Sequence, residues 1–125
     1  MYLTPEAFAE RNARLNELLA EQGREPGSLR RTMMGGLYFA RDNAALERKL
    51  SGIRQRTPEY ADLPLDQLTA TLRKERTLFT GTADEVIAQI KSYAAVGAEE
   101  LMLQWLDLDD IDGLRAFAEQ VLPHV

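Results

Sequence analysis

Arg31-Thr32-Met33-Met34-Gly35-Gly36-Leu37-Tyr38-Phe39-Ala40 is an apolar run without clean alternation, and its reading decides the fold. A strand with one wet face alternates apolar and polar residues, whereas a strand covered by helices on both sides reads as a continuous apolar segment. The run therefore predicts a strand buried on both faces of a parallel sheet. Its paired glycines predict either a bulge or the close approach of another group.

Working outward, Glu25-Pro26-Gly27-Ser28 is turn chemistry. Before it, Thr4-Pro5-Glu6 opens a helix with a hydroxyl at the cap, proline in the first turn and an acid at the positive end. That helix should reach about Gln22, with Phe8, Leu15, Leu18 and Leu19 on one face and Gly23 as its stop. After the strand, Asp42 or Asn43 caps a second helix to about Gln55, whose inner face carries Leu46, Leu50 and Ile53. A proline-containing loop leads to a shorter helix with Leu65, Leu68 and Leu72, closed by Arg73-Lys74-Glu75-Arg76. Cations in a last turn complement the helix dipole, so this charge run reads as a solvated terminus.

Leu78-Phe79 is a short strand, followed by Thr82-Ala83-Asp84-Glu85, a capping box in which hydroxyl and carboxylate satisfy each other's backbone N–H groups. Val86, Ile87, Ile90, Tyr93 and Ala94 then repeat at helical spacing up to Gly97. Glu100 to Leu106 reads as a last strand, and Asp109 or Asp110 starts a last helix with Ile111, Leu114, Phe117, Val121 and Leu122 facing inward. Strands separated by helices predict crossovers and a parallel sheet. The fold class is α/β. A sheet of about three strands with four to five helices leaves two open edges and, if it curves as a barrel sector, one uncovered face.

The chain has 125 residues, 45% of them hydrophobic and 28% charged, the composition of one globular domain. No cysteine is present, which removes disulfides, thiolate metal sites and cysteine nucleophiles. The single histidine, His124, sits beside the C-terminus, where a catalytic role is not expected. A formal charge of −5 opposes attraction to phosphate backbones, so no nucleic-acid partner is expected. No stretch approaches the ~20 consecutive apolar residues of a membrane span, and residues 1–20 lack the apolar core of a signal peptide. A cytoplasmic location without membrane association is the expectation.

Phe79-Thr80-Gly81-Thr82-Ala83-Asp84-Glu85-Val86, Tyr93-Ala94, Gly97-Ala98-Glu99-Glu100-Leu101-Met102-Leu103-Gln104 and Phe117-Ala118-Glu119-Gln120-Val121-Leu122-Pro123 together resemble the C-terminal end of luciferase-like monooxygenases. Arg11-Asn12-Ala13-Arg14-Leu15 with Gly23-Arg24-Glu25-Pro26 adds to the resemblance, which covers most of the chain. Where that family has Gly-Thr/Ser-Pro-Glu-Glu-Val, Ala83 and Asp84 replace the proline and the first glutamate. The resemblance implies a (β/α)8 barrel, or TIM barrel, that binds FMN or a deazaflavin and performs monooxygenation or hydride transfer. A full barrel takes roughly 250 residues. Residues 1–125 thus read as one domain, the C-terminal part of such a barrel, and the parent chemistry is expected to be inactive in this truncated form.

Four residues are candidate cofactor contacts. Gly81 and Thr82 stand at a helix N-terminus, where free N–H groups and the dipole favour a phosphate, although the capping box uses the same donors and Glu85 repels an anion. Gln104 and Trp105 stand at the end of the last strand, where barrel enzymes place pocket residues, although the indole also serves helix–sheet packing. Asp107, Asp109, Asp110 and Asp112 with Gly113 fail as a calcium loop, because Ile111 and Ala118 occupy ligand positions, and capping is their expected role. No metal site and no assignable catalytic residue emerge. A homodimer or higher homo-oligomer is expected to complete the sheet. The alternatives are a non-enzymatic interaction module and one half of a split barrel whose other half arrives in trans.

Overall fold

The computed structural model describes residues 3–125. Its elements run α1 (Pro5–Glu21), β1 (Thr32–Phe39), α2 (Asn43–Arg56), α3 (Leu65–Arg76), β2 (Leu78–Gly81), α4 (Ala83–Ala95), β3 (Glu100–Trp105) and α5 (Ile111–Gln120). Short 3₁₀ turns cover Pro26–Ser28, Pro58–Tyr60 and Leu122–His124. The order of helices and strands is the one the sequence predicts. Local chemistry sets the boundaries: the Thr4 hydroxyl accepts from the Ala7 N–H, Asp42 from Ala45 and Asp110 from Gly113. Gly23 and Gly97 take positive φ where their helices stop.

The three strands are parallel and lie in the order β2-β1-β3. Each pairing needs a helical crossover, because parallel strands cannot be joined by a tight turn. The open three-stranded sheet with five helices is consistent with a partial barrel. β1 and β3 match over six residues, from Thr32↔Glu100 to Leu37↔Trp105, although β2 lies between them in the chain. The short β2 occupies β1's other edge, where a preceding barrel strand would stand.

The apolar side chains divide into two cores. Phe8 of α1, Met33, Leu37 and Phe39 of β1, Phe79 of β2, Val86 and Tyr93 of α4, and Phe117 of α5 form one cluster on a single face of the sheet. Leu46, Leu50 and Ile53 of α2, Tyr60, and Leu68 and Leu72 of α3 form the other, against Tyr38 and Leu78. The second cluster covers only part of the opposite face. β1 is consequently not buried on both sides as its composition predicts: Met33, Leu37 and Phe39 are enclosed, whereas Met34 is 66% exposed. On the second face Met34 meets solvent instead of a helix, while Tyr38 packs against the second cluster.

The inward stripes of the helices are likewise narrower than their periodicity suggests. Phe8 and Leu19 of α1 are buried but Leu18 is exposed, and in α5 Ile111 and Leu114 face out while Phe117 is buried; Leu122 beyond it is also exposed. Those positions have no second layer to meet. The run Arg73 to Arg76 differs from its solvated reading too, since the Arg73 guanidinium donates to the Thr80 carbonyl (2.7 Å) and to Glu85 (2.9 Å), and Arg76 lies over the Tyr60 ring.

Gly35-Gly36 forms no bulge, for β1 keeps regular register through both residues. The glycines serve close approach. A Cβ on Gly35 would stand 2.8 Å from both the Phe79 ring and the Thr77 carbonyl oxygen, and one on Gly36 would meet the tips of Leu78 and Leu106 at 2.6 and 2.7 Å. Backbone cannot yield as leucine tips can. Gly35→Ala is expected to destabilise the chain by about 1–3 kcal/mol and Gly36→Ala by clearly less, read as urea midpoints. Equal losses would contradict this account of the glycines.

Candidate functional site at the C-terminal sheet edge

In parallel α/β sheets ligands bind beyond the carboxyl ends of the strands, where helix N-termini converge. Here that edge is formed by the turn after β1 and the turn after β3. A cavity of about 270 Å³ opens between them, lined by Phe39, Arg41, Arg48, Lys49, Asp110 and Gly113 among others. Asp42 and Asp110 are engaged as helix caps on opposite sides of it.

Lys49 closes the floor. Its ammonium lies 3.3 Å from Asp107, pairs closely with Asp110 and stands 5.2 Å from the centre of the Trp105 ring. The hydrogen bond from Lys49 and that from the Gly113 N–H hold the Asp110 carboxyl below its ordinary value, against a small opposing effect of burial. Arg41 makes only a long contact to the Asp112 carbonyl (3.5 Å), and neither Arg41 nor Arg48 has a carboxylate within 4 Å among the described residues. The edge thus presents two guanidinium groups without a direct ion pair, Arg41 acting on Asp110 through space, beside the carboxylates of Asp42, Asp110 and Asp112. The guanidinium pair suits an oxyanion such as a phosphate monoester where these carboxylates stay engaged with backbone, Lys49 and Arg115. It presents no nucleophile and no acid–base pair. No cluster of three metal-ligating side chains exists among the described residues.

The four predicted contacts do not share this cavity. Gly81 and Thr82 form the start of α4, where the Thr82 N–H donates to Glu85 at 2.9 Å and its hydroxyl approaches the same oxygen at 3.1 Å. Gly81 has φ +144°, and a Cβ there would fall 2.7 Å from the Glu85 side chain. Gln104 and Trp105 point to opposite faces, as neighbours in a strand must. Gln104 is exposed on the open face, beside Met34, Gly35 and Gly36 in a shallow pocket of about 220 Å³. Trp105 packs inward, 6.1 Å from the Phe117 ring, with its indole N–H enclosed and without an acceptor among the described residues.

A larger cavity, about 500 Å³, lies elsewhere, between the start of α1, α3, β2 and α4. Most of its polar groups, Lys74 apart, are already engaged. Gln89 exchanges both hydrogen bonds with the Thr80 backbone (3.0 and 3.1 Å), Arg73 serves Thr80 and Glu85, and the Tyr93 hydroxyl donates to the Leu3 carbonyl at 2.6 Å. Burial, helped by Glu6, raises the Tyr93 pKa and keeps this phenol protonated. The cavity is an apolar gap in a mostly satisfied frame, so the smaller edge cavity is the better functional candidate.

Sequence reasoning misses Arg41, Arg48 and Lys49. Their signal is present: Ala45 lies one helical turn, and Arg48 and Lys49 two turns, beyond Arg41-Asp42, immediately after a strand. Of the aspartates at 107 to 112, Asp110 caps α5 as expected, whereas Asp107 pairs with Lys49 and Asp112 with Arg115, and the lysine partner is distant in sequence.

No family model matches the sequence, and no relative is found among curated proteins. Among solved structures, the monooxygenase RslO1 from Streptomyces bottropensis is similar over 98% of this chain, with a TM-score of 0.65 and 21% identity. The matched region is 39% of that protein, so this chain spans about two-fifths of its length. The likeness is one of fold. Among the described residues no helix is long and apolar enough to cross a membrane.

Two outcomes follow from the site's electrostatics. Lys49→Met should lower stability by about 1–2 kcal/mol, through the lost ion pairs and cation–π contact, and shift the emission of Trp105, the sole tryptophan. An unchanged spectrum would show that Lys49 does not rest on the ring. At Glu85, burial favours the neutral acid, but the Thr82 N–H, Arg73 and the Thr82 hydroxyl outweigh it and hold the carboxyl below 4.5. A depressed folded-state pKa contributes stability that is complete above about pH 4.5 and disappears as pH falls through the lowered value. Glu85→Gln should therefore cost at most about 1 kcal/mol near neutrality, because solvent screens this partly exposed carboxylate, and progressively less in acid, measured by urea denaturation across pH.

Proposed function

We propose that this chain is a segment of a flavin- or deazaflavin-dependent monooxygenase of the luciferase-like kind, that it has no turnover as a single copy, and that it works as a homo-oligomer in the cytoplasm. The observation that carries the reading is the two guanidinium groups without a direct ion pair, Arg41 and Arg48, at the carboxyl edge of a sheet whose fold matches part of a monooxygenase.

The residues fit one end of such a cofactor. Arg41 and Arg48 hold a phosphate by charge-assisted hydrogen bonds, while Asp42 and Asp110, occupied as caps, stay turned to backbone N–H groups. They do not fit the ring: Gly81, Thr82, Gln104 and Trp105 converge on no common cavity, and the exposed sheet face around Gln104 offers a floor without walls. A bound flavin supplies two-electron chemistry at its ring, and nothing in one copy shields that ring from water. Binding without turnover is the consequence.

Titration of FMN against riboflavin tests this. FMN should bind weakly and riboflavin less, and Arg41→Ala with Arg48→Ala should remove the difference. Substrate-dependent oxidation of reduced FMN or reduced deazaflavin by the monomeric chain would overturn the inactive-segment reading. The alternative, an interaction module without cofactor, is favoured by the filled N-terminus of α4 and would show as no preference for FMN over riboflavin.

A further inference from the structure

The two edges of the sheet are not alike. On β2 the ladder turns Leu78 and Thr80 outward, and both backbone groups of Thr80 are taken by side chains: Gln89 accepts from its N–H and donates to its carbonyl, and Arg73 donates to the same carbonyl. An added strand would have to displace a bonded amide and a guanidinium. The β3 edge has no such cover. Glu100 and Leu106 donate their N–H groups to Arg31 and Leu37 on the β1 side, so in a regular parallel ladder the N–H and carbonyl groups of Leu101 and Leu103 face outward. Among the described residues no side chain bonds them. Beside this edge runs an apolar groove of about 290 Å³, bounded by Ile90, Ala94, Leu101, Leu103, Leu122 and Val125.

We infer that the open edge of β3 pairs antiparallel with β3 of a second copy, around a twofold axis at Met102. The register follows from the backbone and the side chains together. Opposed residues must point to the same face, so positions sum to an even number and outward-facing residues oppose one another; of these registers, the one centred on Met102 sets Leu101 against Leu103 and Glu100 against Gln104. With Met102 opposite itself, Leu101 and Leu103 of one protomer exchange N–H···O=C bonds with Leu103 and Leu101 of its partner. On the exposed face Glu100 then stands opposite Gln104, a carboxylate against an amide donor, with no like charges opposed. Arg30 already neutralises Glu100 at 3.0 Å. The leucine pairs extend the apolar groove across the axis. Six strands then form one sheet, with the bonded β2 edges as its ends. This pairing is independent of the cofactor reading, since it uses no residue of the phosphate cavity.

The chain contains no cysteine, which makes a cross-linking test clean. At a non-hydrogen-bonded antiparallel pair the Cα atoms lie ~4.5 Å apart, within disulfide reach. Met102→Cys should therefore give a disulfide-linked dimer almost completely under mild oxidation, while Met34→Cys, exposed on the same face but on the central strand, stays unlinked. In sedimentation equilibrium, Gln104→Glu should weaken and Gln104→Lys strengthen the dimer, each by up to about tenfold from two symmetry-related pairs. Both positions are exposed, and circular dichroism confirms that the variants fold. A monomer at high micromolar concentration, or a dimer in which Met102→Cys remains unlinked, overturns the pairing. Ready linking of Met34→Cys identifies face-to-face stacking and overturns it as well. Cofactor titration of the same variants reads the phosphate site separately.

Discussion

Parallel pairing of β1 on both of its edges is the constraint on which the rest of the molecule depends. A parallel neighbour can be reached only through a crossover, so the pairing of β1 with β2 demands α2 and α3, and that with β3 demands α4. These helices bury apolar surface where the connections carry them. The result is two separate cores, a complete one on the Phe39 side and a partial one around Leu46, Leu50, Leu68 and Leu72. Gly35 lets the Phe79 ring and the Thr77 carbonyl approach the central strand. A larger residue would force that contact apart.

What could be read in advance follows from the range of the interactions involved. Caps, turns and helix periods are local: Thr4, Asp42, Asp110 and Gly97 mark their boundaries by chemistry within four residues, and the structure has them there. Burial on the second face of β1 is not local. Met34 and Tyr38 have the same apolar character as Met33 and Phe39, and only the number of covering elements decides which side meets water. The same holds in α5, where Ile111 and Leu114 share the helical period of Phe117 but find no neighbour. The candidate site was even less legible. Lys49 and Asp110 are far apart in sequence, and two arginines beyond a strand acquire meaning only once the edge cavity is formed.

The network around Thr80 shows how polar groups hold the thinner half of the fold. Arg73 from α3, Gln89 and Glu85 from α4, and the Thr80 backbone satisfy one another within about 3 Å. β2 is only four residues long, and its own ladder to β1 would be marginal. Side chains from the helices on either side supply on its outer edge the hydrogen bonds that another strand would make. This substitution stabilises β2 and at the same time makes it a poor acceptor for a further strand.

Closure of a cylinder and extension of a flat sheet place opposite demands on these edges. A barrel needs both edges receptive, whereas an open sheet that grows by symmetry needs one receptive edge and one blocked edge per copy. The bonded Thr80 and the unpartnered Leu101 and Leu103 match the second pattern. The cavity at the carboxyl edge keeps its lining under either pattern, because it is set within one protomer by the turns after β1 and β3. A wall for a cofactor ring is not set within one protomer, since Met34, Met102 and Gln104 share a face that this chain leaves open. The edge cavity and a wall for a ring are therefore separable in this fold: the first needs only the local strand ends, and the second needs whatever lies over the sheet.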